Sequence, residues 1–294
     1  MKIIEQSVTS YKQEDFTLEC AYKAVERAAR ICYNSTDKIT DGSYKPFIKM
    51  LRKNKHTAPF AFGTVHIYVP NGSIITSNSY RNKITGKELY TLESDVKEFF
   101  DRLPDSWARV YENEGETFIT TNLRVLEEWQ YDTPFGYKDV LEAIKYFIVD
   151  KDDKDQKFYD ARLFVICTTS IAMSREFNRY SSLSICERSS RYVQADQIIK
   201  PCWFGNDDNN DWAFEDIANI IYNAYYDLMN SGYTVLKKQE ARDILPLCTA
   251  TEVAYIGFED DWNWIINQRT SNGAHPQAQE LARMIKREIY NDSK

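Results

Sequence analysis

Four arginines and six serines lie close together between Ser174 and Tyr192, in the sequence SREFNRYSSLSICERSSRY. Guanidinium groups bind phosphate oxygens through pairs of hydrogen bonds, and serine hydroxyls with loop N–H groups can satisfy the remaining lone pairs. The whole chain has a formal net charge of −7 at pH 7. The segment therefore predicts a local pocket for a small phosphorylated ligand within a chain that is not basic overall.

The acidic net charge argues against a general attraction to nucleic acid, and we expect no nucleic-acid partner. A nucleic-acid-binding module that stacks bases on some of the 20 tyrosines is a weaker alternative for the same reason. The sequence also has no GxGxxG turn, no GxxxxGK[ST] loop, no GxSxG elbow and no HExxH motif. The arginine-serine segment is therefore the main candidate for chemistry.

Metal binding, membrane insertion and secretion are not expected from the composition. The cysteines are scattered, with no CxxC pair, and the chain has only three histidines, so little is available for a metal site. No run approaches the roughly 20 apolar residues of a membrane span, and the N-terminal residues lack the apolar core of a signal peptide. We expect a cytoplasmic protein with reduced thiols and no membrane partner.

In the N-terminal part, spacing and capping residues predict a strand over residues 2–10 and a helix from Leu18 to Cys32, with Thr17 as its N-cap. They also predict a second helix over 44–56 and a strand over 62–70. The charged residues 150–157 are interpreted as a solvated loop.

In the C-terminal part, residues 161–173 predict a buried strand, after which Ser170 or Ser174 caps a helix carrying Arg175 and Arg179. The arginine-serine segment would thus begin on a helix and end on a loop. A long amphipathic helix over 212–232 would end at Gly232. A short helix broken before Pro246, a strand and two final helices complete the pattern.

The arginine-serine segment resembles the signature of the flavin-dependent thymidylate synthase family, through Arg179, Glu187, Ser189 and Arg191. Further blocks agree in order and spacing: RAARICYNSTDKIT around Cys32, KHTAPFAFGTV around His56, QEARDILP around Arg242, and RTSNGAHPQAQELA with Arg269 and His275. The resemblance implies a mixed α/β (α+β) single domain over residues 1–294, with an insertion at about residues 72–160.

The resemblance implies an enzyme that transfers a methylene group from methylenetetrahydrofolate to C5 of dUMP and reduces it with hydride from NADPH through FAD. It also implies a homotetramer with active sites between subunits. Arg269 and Ser189 would be catalytic. The implied dUMP-binding residues are Glu176, Glu187, Arg188, Ser189, Ser190, Arg191, Arg242 and Arg269. The implied FAD-binding residues are His56, Arg179, Tyr180, Ser181, Asn267 and His275.

The chain departs from the family pattern on the flavin side. Tyr180 and Ser181 replace a histidine and a second arginine after Arg179, and Ala61 and Phe62 replace a common glutamate and histidine. Tyr180 could stack on the flavin ring. The nucleotide contacts are thus better supported by the sequence than the cofactor contacts.

Other interpretations stay open from the sequence. A paralogue could methylate UMP or another pyrimidine nucleotide, and an inactive relative could bind the nucleotide alone. Cys202 follows a proline, as the nucleophile of the unrelated thymidylate synthases does, but only Lys200 is nearby to activate it. Taken singly, His56 and His275 are typical of capping or surface histidines, and Arg242 of a helix-surface ion pair.

Overall fold

Helices and strands are mixed along the chain, and the computed structural model describes residues 1–70, 100–101, 103–132, 147–149, 156–232 and 235–291. The fold is of the mixed α+β class, as predicted. None of the helices in these ranges is long and apolar enough to cross a membrane.

The strands and helices of the described part have the following bounds. The strands are β1 (Lys2–Ile4), β2 (Ser7–Tyr11), β3 (Thr64–Val69), β4 (Arg109–Asn113), β5 (Glu116–Asn122), β6 (Arg162–Ser170), β7 (Ser184–Glu187), β8 (Gln197–Ile199) and β9 (Ala250–Phe258). The helices are α1 (Leu18–Cys32), α2 (Tyr44–Lys53), α3 (Leu123–Asp132), α4 (Ile171–Phe177), α5 (Asp208–Asn230), α6 (Lys238–Ala241), α7 (Glu259–Thr270) and α8 (Pro276–Asn291).

The residues form two compact units. Unit 1 comprises Met1–Tyr11, Arg27–Thr40 and Leu163–Lys294, and unit 2 comprises Lys12–Glu26 and Asp41–Arg162. The single domain with an insertion at about residues 72–160 stays a prediction, and much of that range lies outside the described residues.

Unit 1 contains a four-stranded sheet in the order β2-β6-β9-β7 and a parallel pair, β1-β8. Its core lies where β6 and β9 meet α4, α7 and α8, and Val165, Tyr255 and Trp262 are fully buried there. Burial of each such side chain contributes on the order of 1.5–3 kcal/mol. The Trp262 indole N–H donates to the Leu163 carbonyl at 3.0 Å, so this ring is buried without an unsatisfied donor.

Helix α5 packs on the β8 side of unit 1 through Ala218 and Tyr222, which are buried against Ile198. The Tyr222 hydroxyl donates to the Gln197 carbonyl at 2.8 Å. This contact holds β8 and the loop before it against α5.

Unit 2 contains the antiparallel sheet β3-β5-β4. The Arg52 guanidinium, on α2, lies 2.8 Å from the carboxylate of Glu127, which is buried on α3. A buried carboxylate is costly unless it is paired, so this ion pair fixes the register of the two helices.

Several boundaries follow the capping residues. The Thr17 hydroxyl accepts from the Cys20 N–H at 3.3 Å, so the predicted start of α1 is confirmed. Gly232 adopts φ +76° after α5, so the predicted glycine ending is confirmed. Helix α5 starts four residues earlier than predicted, because the Asp207 carboxylate accepts from the Asn209 N–H at 2.9 Å and caps it.

Other predicted boundaries were wrong. The first predicted strand is divided into β1 and β2, which pair with different partners, β8 and β6. Helix α2 ends at Lys53 rather than at His56, and Lys55 adopts φ +56°. The two final helices, the short helix before Pro246 and the strand β9 are confirmed. The solvated loop predicted for 150–157 lies mostly outside the described residues.

The arginine-serine segment has more structure than predicted. The predicted strand ends at Ser170, whose hydroxyl accepts from the Met173 N–H at 3.2 Å and caps α4. Of the two predicted capping residues, Ser170 and Ser174, the structure thus confirms Ser170. Arg175 lies on α4, but the helix ends at Phe177, so the prediction that it carries Arg179 was wrong. Strand β7 follows within the segment, because its residues pair with β9.

Candidate nucleotide site

A cavity of about 620 Å³ lies in unit 1. Its wall combines α4, the end of β7 with the loop that follows, the turn at Arg242–Ile244 and the start of β9. The predicted substrate residues on this wall are Glu187, Arg188, Ser189, Ser190 and Arg242. Ligand pockets in proteins typically measure about 300–1,000 Å³, so the cavity can hold a small molecule such as a mononucleotide.

Glu187 is the last residue of β7, and its carboxylate is held from two sides. The Ser174 hydroxyl donates to Oε1 at 3.0 Å, and the Asn178 amide donates to Oε2 at 3.4 Å. The Tyr255 hydroxyl in turn donates to Asn178 Oδ1 at 3.0 Å. Burial raises the pKa of Tyr255, so this hydroxyl stays protonated and remains a donor at neutral pH. The carboxylate is therefore oriented before any ligand binds.

Ser190 and Arg242 come together across the cavity wall from positions 52 residues apart. Arg242 Nη1 donates to Ser190 Oγ at 3.1 Å. The neighbouring Ser189 is fixed by its backbone, because its N–H donates to the Cys32 carbonyl at 3.0 Å. Arg242 is thus not the ordinary helix-surface ion pair that its sequence neighbours suggested.

Arg188 also lines the cavity, but a carboxylate already neutralises its charge. Arg188 Nη2 lies 2.9 Å from Glu252 Oε2, and the Arg188 N–H donates to the Glu252 carbonyl at 2.8 Å. Arg191 is different: it is exposed, does not line the cavity, and donates weakly to Gln239 Oε1 at 3.5 Å. Of the two arginines of this loop, the structure places only Arg188 on the cavity wall.

Glu176 and Arg269, both predicted to contact dUMP, pair with each other and do not line the cavity. Arg269 Nη1 lies 2.7 Å from Glu176 Oε2, and Nη2 donates to the Glu176 carbonyl. The Arg269 side chain is 13 % exposed, and its guanidinium lies 5.1 Å from the centre of the Tyr180 ring. This arrangement holds Arg269 rigidly and compensates its charge.

The predicted flavin residues lie on the surface of unit 1 or in unit 2. Arg179 is 68 % exposed and lies 3.2 Å from Glu176 Oε1, while Ser181 and Asn267 are exposed. Tyr180 packs edge-on against Trp264 at 5.4 Å between ring centres. None of these residues lines the described cavity.

The two predicted flavin histidines have the surroundings that capping or surface residues have. His275 Nδ1 accepts from the Gln277 N–H at 3.2 Å, so it caps α8. His56 is an exposed residue of unit 2.

The structure gives no support to Cys202 as a nucleophile. Cys202 is exposed in the turn that follows Pro201 and does not line the cavity. The Cys32 thiol is hydrogen-bonded to the Cys186 thiol, which lowers the pKa of Cys32. Within the described ranges, no group of three or more His, Cys, Asp or Glu side chains could hold a metal ion.

Sequence reasoning missed several residues of the wall. Arg175 and Asn178 belong to the arginine-serine segment, and their position after a capped helix start could have indicated them. Asp196, Asp243 and the threonines at the start of β9 carried no such signal, because only the tertiary fold brings them to the cavity.

Comparison with protein families gives a match over residues 157–292 to the family described as thymidylate synthase complementing protein. This part of the chain is similar to that family. All the elements that form the cavity lie within the matched residues 157–292. The blocks around Cys32 and His56 lie outside it.

Two similar solved structures carry nucleotides. One is the flavin-dependent thymidylate synthase ThyX from Helicobacter pylori complexed with FAD and dUMP, with 16 % identity, a TM-score of 0.37 and coverage of 45 % of this chain and 69 % of that chain. The other is the UMP/dUMP methylase PolB from Streptomyces cacaoi bound with 5-Br dUMP, with 13 % identity, a TM-score of 0.43 and coverage of 99 % and 93 %. No curated protein matches the chain.

Proposed function

We propose that the chain is an FAD-dependent thymidylate synthase, which converts dUMP to dTMP with methylenetetrahydrofolate as carbon donor and NADPH as reductant. The family match over residues 157–292 supports this proposal at the level of the family. The observation that carries it is the cavity wall on which Arg242 meets Ser190, beside the fixed carboxylate of Glu187.

The wall offers the groups that a pyrimidine nucleotide needs. The Arg242 guanidinium and the hydroxyls of Ser189 and Ser190 can bind phosphate oxygens. The Glu187 carboxylate can accept hydrogen bonds from a ribose hydroxyl or from the uracil N3–H. Because Ser174 and Asn178 already hold this carboxylate, little side-chain entropy is lost when the ligand binds.

Arg269 remains the proposed catalytic arginine, together with Ser189. A guanidinium beside the uracil would stabilise negative charge that develops on the ring. The positive charge of this guanidinium is balanced by the Glu176 carboxylate. We propose that Glu176 holds Arg269 in position until the substrate replaces part of that contact.

The proposed flavin residues do not enclose an FAD molecule within one chain. Arg179, Ser181 and Asn267 are exposed. When bound, FAD would supply the hydride-transfer chemistry. A homotetramer, in which another copy covers the flavin residues, is part of the proposal and would complete the site.

The decisive experiment combines an absorbance spectrum with a product assay. We expect freshly purified protein to show a flavin spectrum and to form dTMP from dUMP only when both methylenetetrahydrofolate and NADPH are present. The product is measured by chromatography, with omission of each co-substrate as the control. Colourless protein that forms no dTMP, even after FAD is added, would contradict the proposal.

Two alternatives are separated by the same assay. Faster turnover of UMP than of dUMP would indicate a paralogue that methylates the ribonucleotide. Protein that binds dUMP but lacks flavin and forms no product would indicate an inactive nucleotide-binding relative.

A further inference from the structure

The cavity wall carries three guanidinium groups in different states. Arg188 is paired with Glu252 at 2.9 Å. Arg242 has the neutral hydroxyl of Ser190 as its partner at 3.1 Å. Arg175 is exposed on α4, lines the cavity, and makes no hydrogen bond or ion pair with the residues that the structure describes. Two of the three positive charges therefore remain available to an anion.

The acidic groups of the wall do not neutralise Arg175. The Glu187 carboxylate is occupied by Ser174 and Asn178. Asp196 and Asp243 line the cavity as well, and neither forms an ion pair within the described part of the chain. A wall with uncommitted guanidiniums and carboxylates fits a ligand that has a phosphate at one end and hydroxyl or N–H donors elsewhere.

Two contacts that precede Arg175 hold the backbone that carries this residue. Ser170 caps the start of α4, and the hydroxyl of Ser174, the preceding residue, donates to Glu187 on β7. Only the side chain of Arg175 is left to move. A guanidinium on a fixed helix loses little entropy beyond its own rotamers when it binds an anion.

We propose that Arg175 binds the phosphate of the nucleotide, together with Arg242. The assignment rests on the proposed function and adds a residue that the family resemblance did not indicate. Two guanidiniums can each donate two N–H groups to a phosphate dianion, which matches its three terminal oxygens better than one guanidinium does.

The test compares binding of dUMP and of deoxyuridine, which lacks the phosphate, by calorimetry or competition. In Arg175→Met protein we expect the affinity for dUMP to fall about 10- to 100-fold, with the affinity for deoxyuridine unchanged. Arg175→Lys should recover part of the loss, because lysine binds phosphate as a point charge. Arg283→Met is the matched control, since Arg283 is exposed on α8 and contacts Gln279.

The outcomes distinguish this assignment from the proposed function. Equal losses for dUMP and deoxyuridine, or no loss in Arg175→Met protein, would overturn the role of Arg175 and leave the function intact. Wild-type protein that binds neither dUMP nor UMP would overturn the function and the assignment with it. Circular dichroism of each variant confirms that the fold is kept, and the lysine variant tests the assignment with the charge retained.

Discussion

At the scale of single residues, the site depends on which partner each charged side chain finds. Arg188 and Arg191 are three positions apart on one loop, yet Arg188 meets Glu252 on the cavity wall and Arg191 is exposed beside Gln239. Arg242, which its neighbours suggested to be a surface residue, donates to Ser190. The partners, and not the residue types, separate the arginines that are held in ion pairs from those that we propose bind the ligand.

Arg242 gives a prediction at this scale. Because Arg242 lines the cavity and has no carboxylate partner among the described residues, we expect Arg242→Met to weaken dUMP binding about 10- to 100-fold, and Arg242→Lys to weaken it less. Calorimetric titration with dUMP measures the effect. Ser190→Ala serves as a comparison, because it removes a neutral hydroxyl that accepts from Arg242 and that we propose also contacts the phosphate. We expect a smaller loss than for Arg242→Met, and an equal loss would argue against the guanidinium as the main phosphate contact.

At the scale of elements, α4 links the fold to the site. It has only seven residues, and its start depends on the hydroxyl of Ser170. Its side chains Ser174 and Arg175 then reach the cavity. The sequence indicated the cap, but not that the helix would end at Phe177, because that end is set by the turn into β7 and the pairing of β7 with β9.

The cap of α4 can be tested by Ser170→Ala. Loss of an N-cap hydroxyl costs about 0.5–2 kcal/mol, so we expect the free energy of unfolding in urea to fall by that amount. We also expect a higher KM for dUMP, because the helix carries Arg175. Ser231→Ala at the end of α5 is the matched control, since Ser231 makes no side-chain hydrogen bond in the described part. Equal effects of the two substitutions would argue against the cap.

At the scale of the whole molecule, buried ionisable groups link stability to pH. His66 is 6 % exposed and lies between the rings of Phe16 and Tyr159, at 3.8 and 4.3 Å between ring centres. Burial, with a smaller effect of the nearby Arg162 charge, lowers the pKa of His66 to about 3. The folded protein therefore keeps the His66 imidazole neutral at pH 7.

The sign of the resulting pH dependence follows from that lowered pKa. Below the ordinary histidine value of 6.5 the unfolded chain takes up a proton that the folded chain accepts only near pH 3. The contribution of His66 to the free energy of unfolding is thus intact above pH 6.5 and is lost as the pH falls toward 3. The free energy of unfolding falls by up to about 1.4 kcal/mol per pH unit in this range.

We expect His66→Phe, which can keep the ring stack, to flatten the fall in the free energy of unfolding between pH 6.5 and 4. Urea unfolding at several pH values measures it. His56→Phe, at an exposed position, is the control for replacing a histidine with phenylalanine. Parallel curves for wild type and His66→Phe would contradict the effect.

Assembly is the second property of the whole molecule. Since the proposed flavin residues are exposed in one chain, we expect light scattering to report about four chains of 34.4 kDa each. Dilution that yields monomers should release FAD, as followed by flavin fluorescence. A monomer that keeps its flavin would contradict the shared site.

The sequence by itself determined the local elements and predicted the chemistry of the ligand. Apolar spacing and caps are properties of neighbouring residues, so α1, α5, α7, α8 and β9 could be predicted from them. A cluster of arginines and serines likewise indicated a phosphorylated ligand. The family resemblance added dUMP as the proposed identity of that ligand.

Only the tertiary structure decided which side chains form the site. Arg242 is brought to Ser190, and Glu252 to Arg188, by strand pairing and helix packing between segments more than 50 positions apart. Such contacts depend on the packing of the whole core, which no local pattern encodes. For the same reason the fold paired Arg269 with Glu176, and left Arg175 facing the cavity without a partner in the described part of the chain.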